Sequence, residues 1–132
     1  MASIFTKIVN GTLPSYKIYE TENCLAFLDI SPLVKGHVLV VSKKEVDSIF
    51  DIDTNIYHEL WDVSKLLAKA IESCISCKRV GIAVIGLEVP HAHVHLVPLQ
   101  SMGDINFSNP KISLSSIEME MISEKIRSRI KK

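Results

Sequence analysis

The sequence predicts an α+β domain, a mainly antiparallel five-stranded sheet with one long central helix and a C-terminal helix. Three observations predict it. Five runs rich in β-branched, aromatic or aliphatic residues, SYKIYE, NCLAFLDI, HVLVVS, RVGIAVIG and HAHVHLVPL, read as strands. One stretch, Asp53 to about Cys74, changes to helical spacing. Short connections favour hairpins, and strands gathered around one long helix give the α+β class.

The elements follow in order. Ser3 caps a short helix, IFTKIVNG, which Gly11 ends. SYKIYETENCLAFLDI forms two strands around a turn at Thr21–Asn23, and SPLVKG connects them to the third. In the long helix, Leu60, Trp61, Ser64, Leu67, Ala68, Ile71 and Ile75 fall near one face, with Glu59, Lys65, Lys69 and Glu72 largely elsewhere. The last helix begins at Ser115 with Glu118 as its capping-box partner, and Ile117, Met121, Ile122, Ile126 and Ile130 form its apolar face.

A chain of 132 residues without linker, repeat or low-complexity tract is expected to be one domain over 1–132. Apolar residues make up 47%, too many for a disordered chain. Fifteen basic and fifteen acidic side chains cancel, so no global field recruits nucleic acid or an anionic membrane. No apolar run approaches the roughly 20 residues that span a bilayer, and the start lacks the pattern of a signal peptide. Three cysteines, an odd number, argue against a disulfide framework, so a cytoplasmic location is expected.

Three of the five histidines, His91, His93 and His95, stand at alternate positions of VPHAHVHLVPL. Alternate strand residues share a face, so Ala92, Val94 and Leu96 point into apolar surroundings on the other. The row can be a metal site, a catalytic cluster or a polar strand face. Four residues of rise separate His91 from His95 by roughly 13 Å, too far for three straight-strand ligands to converge well on one ion. Cys74-x-x-Cys77, thirteen residues, then His91-x-x-x-His95 has the spacing of a zinc finger. Its histidines alternate in β fashion instead of sitting on a helix, so that reading is set aside and the thiols are read as small hydrophobes. Catalysis suits the residue type: neutral imidazole is a nucleophile near pH 7, and neighbouring rings can supply donors for phosphoryl oxygens.

The His-x-His-x-His run followed by apolar residues resembles the signature of the histidine-triad (HIT) superfamily. SIFTKIVNGTLPSYKIYETENCLAFLDISP, GHVLVVSKK and the triad are similar in order and spacing to its Hint-like branch. The resemblance implies a HIT-like fold and hydrolysis of purine nucleoside phosphoramidates or related nucleotides. It places the nucleophile at His93, which would attack the α-phosphate and form a nucleotidyl-histidine. It gives His95 the phosphoryl oxygens and makes His91 and His37 the rest of the polar cluster. Asp29, which by itself reads as a turn-initiating aspartate, matches the position that binds ribose hydroxyls. Ile4, Phe5, Ile8, Leu13, Phe27, Leu28, Ile30 and Leu39 align with the apolar wall around the base. The mechanism requires no metal or cofactor.

Three departures accompany the resemblance. Ser3 and Thr6 stand where many relatives carry zinc-binding cysteines, and hydroxyls are poor zinc ligands, so no structural zinc is expected. Gly86-Leu87-Glu88 replaces Gly-Gln-Ser; Glu88 lies near the nucleotide site and is expected to turn away and pair with a basic residue, the alternative being that it acts, when protonated, on the departing amine. VGIAVIG replaces an asparagine- and glycine-rich segment. These departures leave two alternatives beside the phosphoramidase: a dinucleoside-polyphosphate hydrolase, and a nucleotide-binding scaffold with little turnover. The family likeness also implies a homodimer, with the helix bearing Trp61 and the RVGIAVIG strand as candidate contacts.

Overall fold

The structure is a computed structural model that describes residues 2–131. Helix α1 (Ile4–Val9) starts at Ser3, whose hydroxyl accepts the Thr6 N–H, and Gly11 follows its end at φ +83°. Strands β1 (Lys17–Glu20), β2 (Cys24–Leu28) and β3 (Val38–Ser42) come next. A single 3-10 turn (Ile49–Asp51) leads to helix α2 (Thr54–Cys74), capped by the Asp53 side chain. Strands β4 (Arg79–Ala83) and β5 (His93–Leu99), a second 3-10 turn (Met102–Ile105) and helix α3 (Ser116–Arg127) complete the chain. Every pairing is antiparallel and the sheet order is β1-β2-β3-β5-β4, as the α+β reading expects.

The three inner strands β2, β3 and β5 are buried on both faces, and strand alternation divides their side chains between two cores. Cys24, Ala26 and Leu28 of β2, Val38 and Val40 of β3, and Val94 and Leu96 of β5 pack beneath α2 and α3. Helix α2 supplies Leu60, Val63, Leu67, Ala70 and Ile71 to this layer. On the opposite face Leu25, Phe27, Leu39 and Val41 meet Phe5 of α1. The smaller core is the floor on which the histidines stand.

Two expectations are corrected. In α3 the buried stripe is Met119, Ser123 and Ile126, with Ile122 and Ile130 partly covered, while Ile117 and Met121 are 73% and 64% exposed. At 3.6 residues per turn Met119, Ser123 and Ile126 share one face, which docks on α2 and β1, whereas Ile117 and Met121 lie about 180° and 140° around the helix from Ile126. Strand β4 ends at Ala83, so Val84–Gly86 of RVGIAVIG lies outside the sheet. Glu59, which lies off the core face of α2 as its spacing predicts, ties the helix to the β1–β2 turn. Its carboxylate accepts the Thr21 hydroxyl at 2.6 Å, the Asn23 N–H at 3.0 Å and the Asn23 amide at 3.0 Å. These bonds, that from Thr21 first, hold its pKa below the usual value and clamp the β1–β2 turn to α2. Glu59→Ala is expected to lower stability by about 1.5–3 kcal/mol, the range for hydrogen bonds to a charged group, measured by urea unfolding at pH 7.

Candidate active site

Strand β5 pairs with β3 so that His93 lies opposite Val41 and His95 opposite Leu39. With Val94 and Leu96 in the larger core, both rings must point to the α1 side. His37 immediately precedes β3 and joins them from the neighbouring strand. Ring centroids lie 4.7 Å apart for His93–His95 and 5.2 Å for His37–His95. His91 lies before β5, in a bend rather than in the strand. Its ring is fully buried beside Phe5, and it is the main-chain carbonyl that reaches His93.

The hydrogen bonds fix where the ring protons sit, because a carbonyl only accepts and a backbone N–H only donates. His93 Nδ1 lies 2.7 Å from the His91 carbonyl, so Nδ1–H donates and Nε2 keeps its lone pair. The Leu33 N–H donates to His37 Nδ1 at 3.0 Å, so the His37 proton is on Nε2. That proton is donated to His95 Nδ1 at 3.0 Å, which leaves the His95 proton on Nε2. Neither His93 Nε2 nor His95 Nε2 has a hydrogen-bond partner among the described residues. Trp61 Nε1 is the one buried side-chain polar atom without a partner there, so these two nitrogens open onto solvent. A bare nitrogen therefore stands beside an N–H donor at the surface of an otherwise closed cluster.

Electrostatics keep the rings uncharged. Burial pushes His37 down to about 4 and His95 down to about 3, with the neighbouring ring of His93 adding to the effect at both. Burial also lowers His93, opposed by its bond to the His91 carbonyl. Asp29 is raised, burial outweighing the bond from the Ser31 N–H. One Asp29 oxygen accepts that N–H at 2.9 Å, as a turn-initiating aspartate does, and the other lies 3.7 Å from His37 Nε2.

The remaining predicted residues separate into near and far. Phe5 lies 4.9 Å from the His93 ring and 5.7 Å from Phe27, and Ile8 and Leu39 pack in the same cluster. Leu28 belongs to the opposite core, because it is an even number of residues from Cys24 and Ala26. Ile30 is 70% exposed beyond the end of β2, and Ile4 lies on the outer side of α1 at 46%. Glu88 is exposed and forms no ion pair among the described residues, contrary to the expected pairing. Its charge acts instead on Asp29 and His93.

Two contributors had no sequence signal. Phe107 places its ring 4.6 Å from His95 and 6.2 Å from His37, and Lys111 lies over that ring at 5.9 Å. Both belong to the irregular segment before α3, pinned where the Ile112 N–H bonds the Pro32 carbonyl. No periodicity marks such a segment. Only its path across the site makes it part of the site.

One group among the described residues, Asp29, His37 and His95, has ligand atoms close enough to share a cation. The donor set does not suit one. His37 Nε2 could bind a metal only if its proton moved to Nδ1, where it would confront the Leu33 N–H. The zinc-finger pair is likewise divided, since Cys74 packs in the α2 core and His95 on the other face. At the N-terminus, Ser3, Thr6, Glu45 and His91 are bonded to one another. His91 Nδ1 meets the Ser3 hydroxyl at 2.7 Å, and Glu45 accepts the Thr6 hydroxyl at 2.6 Å and the Ser3 N–H at 2.7 Å. Two hydroxyls in place of thiolates, already hydrogen-bonded to His91 and Glu45, do not fit structural zinc.

Known proteins share this arrangement. The HIT domain profile matches residues 10–102. Adenosine 5'-monophosphoramidase hnt1 of Schizosaccharomyces pombe is 32% identical over 134 residues, covering 99% of this chain and all of that one. An uncharacterized HIT-like protein of Mycoplasma genitalium is 37% identical, covering 92% of each chain. Among solved structures, a HIT-like protein from Bartonella henselae superposes with a TM-score of 0.85 at 26% identity, over 97% of this chain and 96% of that one. A HIT family member from Bacillus subtilis gives 0.75 at 28% identity, over 100% and 99%. With the profile match spanning most of its length and both histidine strands in place, this chain belongs to the histidine-triad family.

Proposed function

We propose that this protein, a single HIT-like domain, is a nucleotide hydrolase that cleaves purine nucleoside phosphoramidates with His93 as its nucleophile. The observation that carries the reading is the His93–His91 bond. It holds the ring proton on Nδ1 and leaves a lone pair on solvent-facing Nε2. Nε2 attacks the α-phosphorus, a P–N bond to His93 forms, and the P–N bond to the leaving amine breaks as that amine takes a proton from solvent. Water then cleaves the nucleotidyl-histidine, releasing nucleoside monophosphate and restoring the ring. His95 Nε2–H donates to the phosphoryl oxygen where charge builds. Asp29 serves the ribose, and Phe5, Ile8, Phe27 and Leu39 the base. The names of the yeast relatives as adenosine 5'-monophosphoramidases support the substrate class.

The same reading makes the protein a cytoplasmic homodimer. The exposed Ile82 and Ile85 on and just beyond edge strand β4 support it. A C2 pair is the commonest assembly.

Incubation with adenosine phosphoramidate is expected to release AMP and ammonia. An alkaline quench should trap an AMP adduct on the peptide carrying His93, seen by mass spectrometry. An adduct on another residue, or bound nucleotide never cleaved, would reject the reading, the second outcome in favour of a scaffold.

A further inference from the structure

We propose that Ser3 is a positioning residue for His93, acting through His91, with Thr6 and Glu45 holding the Ser3 hydroxyl in place. The inference rests on His93 as nucleophile, but its structural half can be tested without any substrate.

The connection is continuous. His91 Nε2 lies 2.7 Å from the Ser42 carbonyl, so the neutral ring has its proton on Nε2 and a bare Nδ1. That Nδ1 is buried and needs a donor. The hydroxyl of Ser3, a residue 8% exposed, lies 2.7 Å away and is oriented to supply it. Its other possible acceptor, Thr6 Oγ1, is more distant at 3.3 Å. The Ser3 oxygen meanwhile accepts the Thr6 N–H at 3.0 Å as the cap of α1.

Glu45, in the loop after β3, fixes both partners. It takes the Ser3 N–H and the Thr6 hydroxyl on one oxygen, at 2.7 Å and 2.6 Å. His91 is thus held at both ring nitrogens, from α1 and from β3. Its backbone is held as well: its N–H bonds the Val89 carbonyl at 2.8 Å, and the Ala92 N–H bonds the Val46 carbonyl at 2.7 Å. The carbonyl that results from all this faces His93 Nδ1.

Removing the Ser3 hydroxyl leaves beside the buried His91 Nδ1 only the Thr6 hydroxyl, 3.4 Å away and already donated to Glu45. The ring can then recover a partner by drawing that hydroxyl off Glu45, by turning or by moving its proton, and each change disturbs the carbonyl that keeps the His93 proton off Nε2. The side chains that occupy the zinc-binding position of many relatives thus form a metal-free clamp with a different task, the choice of tautomer at the nucleophile.

The test is ¹⁵N NMR of the histidine rings in the substrate-free protein, paired with steady-state kinetics on adenosine phosphoramidate. Wild-type protein should show His93 protonated on Nδ1 and bare on Nε2. Ser3→Ala should mix the two tautomers and lower kcat about ten- to a hundredfold, the scale of a small misplacement, with KM within about twofold. Ser3→Thr, which keeps the hydroxyl and the cap, should restore both. Thr6→Val leaves the cap and the Ser3 hydroxyl intact, so it serves if Ser3→Ala does not fold; it should move tautomer and kcat the same way by less. A pure Nδ1–H tautomer with unchanged kcat in these variants would overturn the proposal. So would one zinc per purified chain that Glu45→Gln removes. Tautomer mixing with no phosphoramidase activity in any form would instead reject the proposed reaction while leaving the clamp standing.

Discussion

His93→Ala is expected to lower kcat/KM for adenosine phosphoramidate by roughly 10⁴-fold or more, the scale on which a covalent nucleophile is lost. Little else should change. The ring is 6% exposed, but its polar edge opens onto solvent and its neighbours Val94 and Leu96 keep β5 anchored in the core. Stability should therefore fall far less than activity, which separates loss of chemistry from loss of fold. A second signature lies in the pH profile of the wild type. Burial lowers the His93 pKa, so the acid limb of kcat/KM should fall below 6.5, the value of a free imidazole. An alanine variant within tenfold of wild type, or an acid limb at or above 6.5, would reject His93 as nucleophile.

Acid is expected to unfold the domain through the same rings. His37 and His95 titrate near 4 and 3 when folded, against about 6.5 in the unfolded chain. Between those values the unfolded chain binds protons that the native state refuses, so stability is complete above 6.5 and falls as pH drops toward 4. At pH 4.5 the loss is on the order of 2 kcal/mol per ring, reckoned from the linkage relation. Against a typical total of about 5–15 kcal/mol this is a large share. His93, also lowered, adds to it, whereas the raised Asp29 acts the other way. Glu20 and Glu45 are lowered to about 2 by their hydrogen bonds, so what they contribute is lost mainly below their unfolded value of about 4.3 and adds little to the drop at pH 4.5. Urea midpoints at pH 7 and 4.5 measure the effect, and His95→Gln should make the drop shallower. A wild-type loss under about 1 kcal/mol would show that the rings are not held neutral by the fold.

Local chemistry explains which features were readable in the chain. Ser3, Asp53 and the Ser115–Glu118 pair mark helix starts because capping needs particular side chains at fixed offsets. The alternation of His93 and His95 with Val94 and Leu96 declares a shared face because a strand repeats every two residues. His91 broke that rule. The chain bends before β5, so the first histidine contributes a carbonyl where a third ring of the row was expected. Leu28 was misplaced because a list of apolar positions does not record which core each one enters. In α3 the spacing itself puts Met119 on one face with Ile126 and turns Ile117 and Met121 about 180° and 140° away at 3.6 residues per turn, so the exposed pair was misassigned although the period was legible.

By itself the sequence determined the α+β class, the capped helices and the face shared by His93 and His95, since each depends on residues near one another in the chain. The tertiary structure alone decided the protonation of the site. That required the Leu33 N–H at His37, the His37 ring at His95, the Ser3 hydroxyl at His91, and Phe107 across the top. These partners come from segments up to 88 positions apart. Only packing brings them together, and a proton's position on an imidazole is set by what the other nitrogen meets.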